Sequence, residues 1–263
     1  MGYSAARWSR PVVKLLALTV VGAAVVGVSG CASEAQVSPQ FARTSAEAIF
    51  NADTAYPVNL LFVADSGDRI WDSLAGVAIV DGASFGPGEV EVHRGEDDGQ
   101  SEVGNITFSY PGTEGESRFS QVELYFEGER EPVVVDVGDW SLEPQTSVST
   151  QSPLNEEVVA MSECGSYEVV FADEDQADPE PDFVVGTEGM QLQDASVTER
   201  GDGHGELAAS ATMACSTEYD SYVASPRVIG HNQEGDEVIF QASPVAIGFT
   251  SIDDAALARI RAR

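Results

Sequence analysis

FSQVELYF, residues 119 to 126, places Val122, Leu124 and Phe126 on one side of an extended chain and polar residues between them. That two-residue period is the mark of a strand with one face buried. Working outward, the same texture recurs in YPVNLLFVA, SLAGVAIV, EVEVH, NITFSY and PVVVDVGDWSL, with Gly, Pro and Asp clusters between the runs. Val90 and Val92 repeat the alternation. Short strands at close spacing, with no long helical pattern among them, predict a β-sandwich over residues 56–145.

EPQTSVSTQSP (143–153) is rich in Ser, Thr and Pro and nearly empty of apolar side chains, so residues 146–155 are expected to link two domains. A second β-rich set follows: EEVVAMSECGSYEVVF, DFVVG, MQLQDASVTE, GELAASATMACS, SPRVIGH and DEVIFQASPVAIGF. GDGHG (201–205) and NQEGD (232–236) supply glycines for hairpin turns. This set predicts a second sandwich over residues 156–250. NLLFVAD (59–65) and EVVFAD (168–173) echo one another at about one domain length, though so short a match can arise by chance. Residues 251–263 read as a short helix, with Ser251 and Asp254 at capping spacing and Arg259, Arg261 and Arg263 where a helix C-terminus favours positive charge. The fold class expected is all-β, two sandwiches with a short N-terminal tether or helix and a short C-terminal helix.

The N-terminus carries Arg7, Arg10 and Lys14 and no acid before Glu34, followed by an apolar run from Leu15 to Gly30. A charged start followed by an apolar run is the order of a secretory signal. As a helix the run would reach about 24 Å, short of a hydrocarbon core of about 30 Å. Val28, Ser29, Gly30 and Cys31 resemble the lipobox of bacterial lipoproteins: an aliphatic residue, two small residues, then cysteine. The resemblance implies cleavage before Cys31 and fatty acylation there, palmitate included. Residues 1–30 would then be a signal peptide and 31–55 a lipidated tether, with Ser38-Pro39 placed to cap a docking helix. The expected location is the cell membrane, lipid-anchored and facing the extracytoplasmic side.

Loss of the signal leaves ten basic residues, all arginine, against 44 acidic ones, a net of −34. Such a surface repels phosphate, so nucleic acid is excluded as a partner and the membrane is reached through the anchor alone. Acidity this widespread usually serves as a solvated face. Export also places Cys164 and Cys215 where thiols oxidise, so a disulfide is expected between them. The pair invites comparison with an immunoglobulin inter-sheet bond. That family adds a tryptophan after the first cysteine and a tyrosine two residues before the second. Here the second region lacks tryptophan and Met213 holds the tyrosine place, so immunoglobulin-like architecture is expected without membership of that family.

Catalytic motifs are weak. Gly82, Ser84 and Gly86 have the spacing of a nucleophile elbow, but Pro87, Gly88 and a strand follow where a helix must. Asp65, Ser66 and Gly67 resemble the aspartic protease loop, yet Asp68 stands in place of a small residue and no second copy occurs, so a turn is expected. His93, His204 and His231 have no partner at metal-ligand spacing and are expected near turns. The acidic run FADEDQADPEPDF makes Asp173, Asp175 and Asp178 weak candidates for surface calcium binding, but Ala177, Asp178, Pro179 and Pro181 break the EF-hand pattern. No cofactor and no catalytic site are expected. The sequence suggests a binding or scaffolding protein of the cell envelope with ligand unknown; the alternative is an envelope hydrolase whose site is assembled from distant residues.

Overall fold

The computed structural model describes residues 39–97, 101–145, 150–151, 160–172, 182–200, 205–231, 234–249, 252 and 254–263. The first part of the chain forms β1 (Gln40–Phe41), β2 (Thr44–Asn51), β3 (Ala55–Ala64), β4 (Leu74–Ile79), β5 (Ser84–Phe85), β6 (Val90–Asp97), β7 (Glu102–Pro111), β8 (Ser117–Phe126) and β9 (Val133–Gln145). One sheet has the order β1-β3-β7-β6, and the facing strands run β2-β9-β8-β4-β5. Alternate side chains from the two sheets meet between them: Val58, Leu60, Phe62, Ile106 and Phe108 against Val77, Val122, Leu124 and Trp140. These orders reproduce the A-B-E-D and G-F-C-C′ layers of an immunoglobulin sandwich.

The second part repeats the plan with β10 (Thr150–Gln151), β11 (Ala160–Met161), β12 (Ser166–Ala172), β13 (Asp182–Val184), β14 (Met190–Arg200), β15 (Glu206–Cys215), β16 (Ser221–Ala224), β17 (Arg227–His231), β18 (Glu237–Gln241) and β19 (Val245–Ile247). Its layers are β12-β15-β14, matching B-E-D, and β18-β17-β13, matching G-F-C, with β10 parallel to β18. Phe171, Leu207, Met213, Val228 and Phe240 fill a separate core between them. The sequence echo therefore has a structural meaning, because Asn59–Ala64 and Glu168–Ala172 lie on the B strand of each sandwich.

One expectation is corrected. Residues 40–51 are strands β1 and β2, not a docking helix. The segment TSAEAIFN looks helical because its residues are small and carry no strand alternation, and the reason is burial on both faces. Strand β2 pairs in parallel with β9 on one edge and with β16 on the other. It thereby belongs to an eight-stranded sheet, β11-β19-β16-β2-β9-β8-β4-β5, that crosses both sandwiches, and Gln36–Arg263 form one compact unit. Small side chains fit that position. On the β9 side, Gly138 (φ +86°) brings its backbone against Thr44, where a Cβ would lie 2.2 Å from the Thr44 oxygen.

Buried hydroxyls finish the junction: Thr44 Oγ1 lies 2.8 Å from Ser221 Oγ, Ser45 Oγ lies 2.9 Å from Thr187 Oγ1, and the Ile49 N–H donates to Ser225 Oγ at 2.9 Å. The chain then returns to the first sandwich. Helix α1 (Asp254–Arg261) seats Ile260 against Ala42, Leu61 and Val63. Its basic end is held by Asp220, a carboxylate whose side chain is 2% exposed and which takes Arg259 Nε at 3.3 Å and Arg263 Nη1 at 2.5 Å. Ser251, the expected cap, lies outside the described residues, as do 146–149 and 152–155 of the expected linker.

Cys164 and Cys215 lie at disulfide distance, their Cα atoms 6.0 Å apart. Cys215 ends β15 and Cys164 stands two residues before β12, whose Ser166 pairs with Thr212, so the bond ties neighbouring strands of one sheet instead of joining two sheets. That is why Met213, two before the cysteine, is a core residue: Cys215 ends strand E, not strand F. The corner tyrosine is Tyr222, on β16 just ahead of the F strand β17, whose hydroxyl donates to the Ser216 carbonyl at 2.7 Å.

Two predictions follow from the shared strand. Replacing both Cys164 and Cys215 by Ser should remove about 4 kcal/mol of stability for this 51-residue loop in the chain-entropy model. Tryptophan fluorescence, which reports Trp71 and Trp140 of the first core, should shift to a lower midpoint as well; an unchanged fluorescence transition would show the cores to be uncoupled. Ala46→Pro, which removes an N–H from a strand paired on both edges, should destabilise the whole unit by about 2 kcal/mol or more in chemical unfolding.

Candidate functional site

Two concavities meet at the junction. The first, of about 490 Å³, opens where β1 stops covering β3. Strand β1 pairs with β3 only at Phe62 and Val63, so the edge of β3 nearer Tyr56 is free. Outward-facing Asn59 and Leu61 of β3, His93 of β6, and Val103 and Asn105 of β7 form one wall, while Phe249 and Ile252 from the segment before α1 close another side. Asn105 Nδ2 donates to Asn59 Oδ1 at 2.7 Å, and Asn59 Nδ2 donates to the Pro57 carbonyl at 3.2 Å. Asn105 Oδ1 is buried without a hydrogen-bond partner. Tyr56 borders the cleft, and burial pushes its phenol pKa up.

The second concavity, of about 530 Å³, lies over the outer face of the shared sheet. Ser45 and Glu47 of β2 and Asp139, Ser141 and Glu143 of β9 make its floor, and Gly186, Thr187 and Glu188 lean over it from the second sandwich. Gly186 sits at φ +71° against the Glu47 carboxylate, where a Cβ would overlap the Oε2 atom. Glu47 is 12% exposed and pairs at 3.7 Å with Arg227. Burial raises its carboxyl pKa, with Arg227 opposing the shift. Tyr219 donates to Asp139 Oδ2 at 2.7 Å, and that bond, with burial, raises the phenol pKa. Arg43 lies over the Tyr219 ring at 5.2 Å.

Neither concavity presents a nucleophile beside an imidazole. His93, on a strand and not at a turn, faces Glu91 at 3.4 Å. Ser45 and Ser141 are engaged with Thr187 and Glu143. Ser84 stands on β5, paired with Ala78, and no helix follows it. Asp65 and Asp68 flank a turn, where Asp68 Oδ1 accepts the Ile70 N–H at 2.8 Å and caps a short 3₁₀ turn. His231 ends β17, exposed. Among the described residues no group of three or more His, Cys, Asp or Glu is arranged to hold a metal. Cys31, Asp173, Asp175, Asp178 and His204 lie outside the described residues. Sequence reasoning missed both concavities, because each joins residues far apart in the chain, Tyr56 with Ile252 in the first and Ser45 with Glu188 in the second; only the β3 and β7 alternation pointed to an outward Asn pair.

No family model and no curated protein matches the chain. Among solved structures it is similar to the N-terminal Ig1-2 module of the Drosophila receptor protein tyrosine phosphatase DLAR, at 11% identity and a TM-score of 0.24, covering 80% of this chain and 97% of that one.

Glu47 yields a pH prediction. Because its native pKa is raised, the native state favours the proton. Its contribution to stability is therefore full below the ordinary carboxylate pKa and is lost as pH rises through the raised native value. Glu47→Gln should raise the melting temperature at pH 7 by roughly 2–4 °C, for about 1 kcal/mol, and the gain should vanish towards pH 4. Thermal unfolding across that range is the measurement, and a lower melting temperature at pH 7 would mean that the Arg227 pairing dominates.

Proposed function

We propose that this chain is a lipid-anchored binding or scaffolding protein held at the extracytoplasmic face of the cell membrane, acting through a presented cleft and not through a catalytic site of its own. The observation that carries the binding role is the cleft at the free edge of β3: ligand-sized, with apolar walls and two converging side-chain amides. A catalytic site would need a nucleophile and base within hydrogen-bond reach, and neither cleft offers one. The immunoglobulin-like layers support the same reading, since such sandwiches present faces and edges without requiring chemistry.

The anchor rests on the basic start, the apolar run and Val28-Ser29-Gly30-Cys31. Among the described residues no helix is long and apolar enough to cross a membrane, which leaves attachment to the N-terminal segment in this reading. Cys31→Ser should move the protein from the membrane pellet to the soluble fraction of a cell lysate, and intact mass of the parent should show cleavage before Cys31 with an added acyl mass. Retention of Cys31→Ser in the pellet, or residues 1–30 still attached, would overturn the anchor. For the binding role, protein purified from its envelope and sprayed under native conditions should carry a removable non-covalent mass.

A further inference from the structure

The charge of the molecule is distributed with one conspicuous gap. Asp and Glu make up 44 of 263 residues, and the cleft at the junction floor alone carries Glu47, Asp139, Glu143 and Glu188. Yet among the described residues none of the fifteen that line the cleft at the β3 edge is acidic. Its one arginine, Arg94, is drawn away to Glu102 at 3.1 Å and over the Trp71 ring at 4.8 Å. What remains is apolar surface from Leu61, Val103, Val223, Phe249 and Ile252, with the neutral amides of Asn59 and Asn105 and the ring of His93.

We propose that this cleft is a binding site for a neutral, mainly apolar small molecule that carries a hydrogen-bonding group. The proposal rests on the binding role given above and names the ligand class of that same cleft. A carboxylate or an ammonium placed there would lose hydration and meet charges that are already paired, Arg94 with Glu102 and His93 with Glu91, so a charged ligand is disfavoured. The surrounding acidic surface repels anions further. The amides fix orientation: Asn105 spends its N–H on Asn59 and leaves Oδ1 buried and unpartnered, so a small rotation of that amide towards a ligand hydroxyl satisfies both. The strap residues Phe249 and Ile252 border the cleft and pack with Leu61, Val63 and Ile260.

The test uses two probes that share a ring system and differ in charge, 2-naphthol and 2-naphthoate, titrated by fluorescence at pH 7 into the full mature chain carrying Cys31→Ser. One saturable site for 2-naphthol, with 2-naphthoate at least tenfold weaker, is the expected result. Asn59→Asp, which keeps the acceptor that Asn105 uses but places a carboxylate in the wall, should weaken 2-naphthol at least fivefold. Val103→Asp should do the same from another strand, and Val134→Asp, on an exposed face away from the cleft, should change it less than twofold. The circular dichroism spectrum of each variant checks that it folds. Equal affinity for the two probes, with both weakened by Asn59→Asp, would overturn the neutral class while leaving the cleft a binding site. No saturation by either probe, or 2-naphthol binding indifferent to both wall carboxylates, would remove the cleft from the binding role as well.

Discussion

The double parallel pairing of β2 is the constraint on which the rest of the structure depends. A strand with backbone partners on one side only can detach at modest cost, whereas β2 exchanges hydrogen bonds with β9 from Thr44 to Asn51 and with β16 from Thr44 to Ala46. Each sandwich thus completes one of its sheets with a strand that the other also uses. The buried hydroxyls of Thr44 and Ser45 would be liabilities in an apolar interface, but each meets a hydroxyl from the second sandwich. A buried polar group left without a partner costs about 1–3 kcal/mol, so these contacts oblige the halves to meet in one register. They act on specificity more than on gross affinity.

How much of this was legible in the sequence follows from how local each signal is. The strands of the first sandwich announce themselves because one face is buried and one is wet: Val122, Leu124 and Phe126 lie in the core, while Gln121, Glu123 and Tyr125 do not. The helix at Asp254–Arg261 is readable from its charge gradient. β2 is not readable, because a strand paired on both edges and buried on both faces has no alternation, and Ala and Ser, which it carries, also suit helices and tethers. The cysteine pair was expected from compartment and count, and the two lie at disulfide distance, while the layer they tie depends on which strand Cys215 ends. Tyr222 was overlooked for the same reason: the corner is set by strand order, and an eye fixed on the second cysteine looks nine residues too early.

The concavities were out of reach of sequence reasoning altogether. Each needs residues from β2 or β3 beside residues near position 187 or 250, and the only thing that brings them together is the fusion of the sandwiches. The two clefts are chemical opposites for a structural reason. The floor of the junction cleft is the outward face of the shared sheet, where solvated acids such as Glu143 and Asp139 are tolerated. The other sits against α1 and its strap, whose apolar residues need cover, and an acid placed there would be buried without a counter-charge.

The C-terminal strap links the junction to the cleft at the β3 edge. Asp220 lies between the E and F strands of the second sandwich, and its carboxylate gathers the Arg43 N–H beside β2 and the two arginines at the end of α1. With a side chain only 2% exposed, that carboxylate depends on these donors, and removing one partner of a buried charged group is usually more damaging than never having had the pair. The same side chain therefore fixes the fused strand and the wall of the neutral cleft. The position of the strap is set by the junction, so the shape of the cleft is a property of the fused pair and would not survive in either sandwich alone.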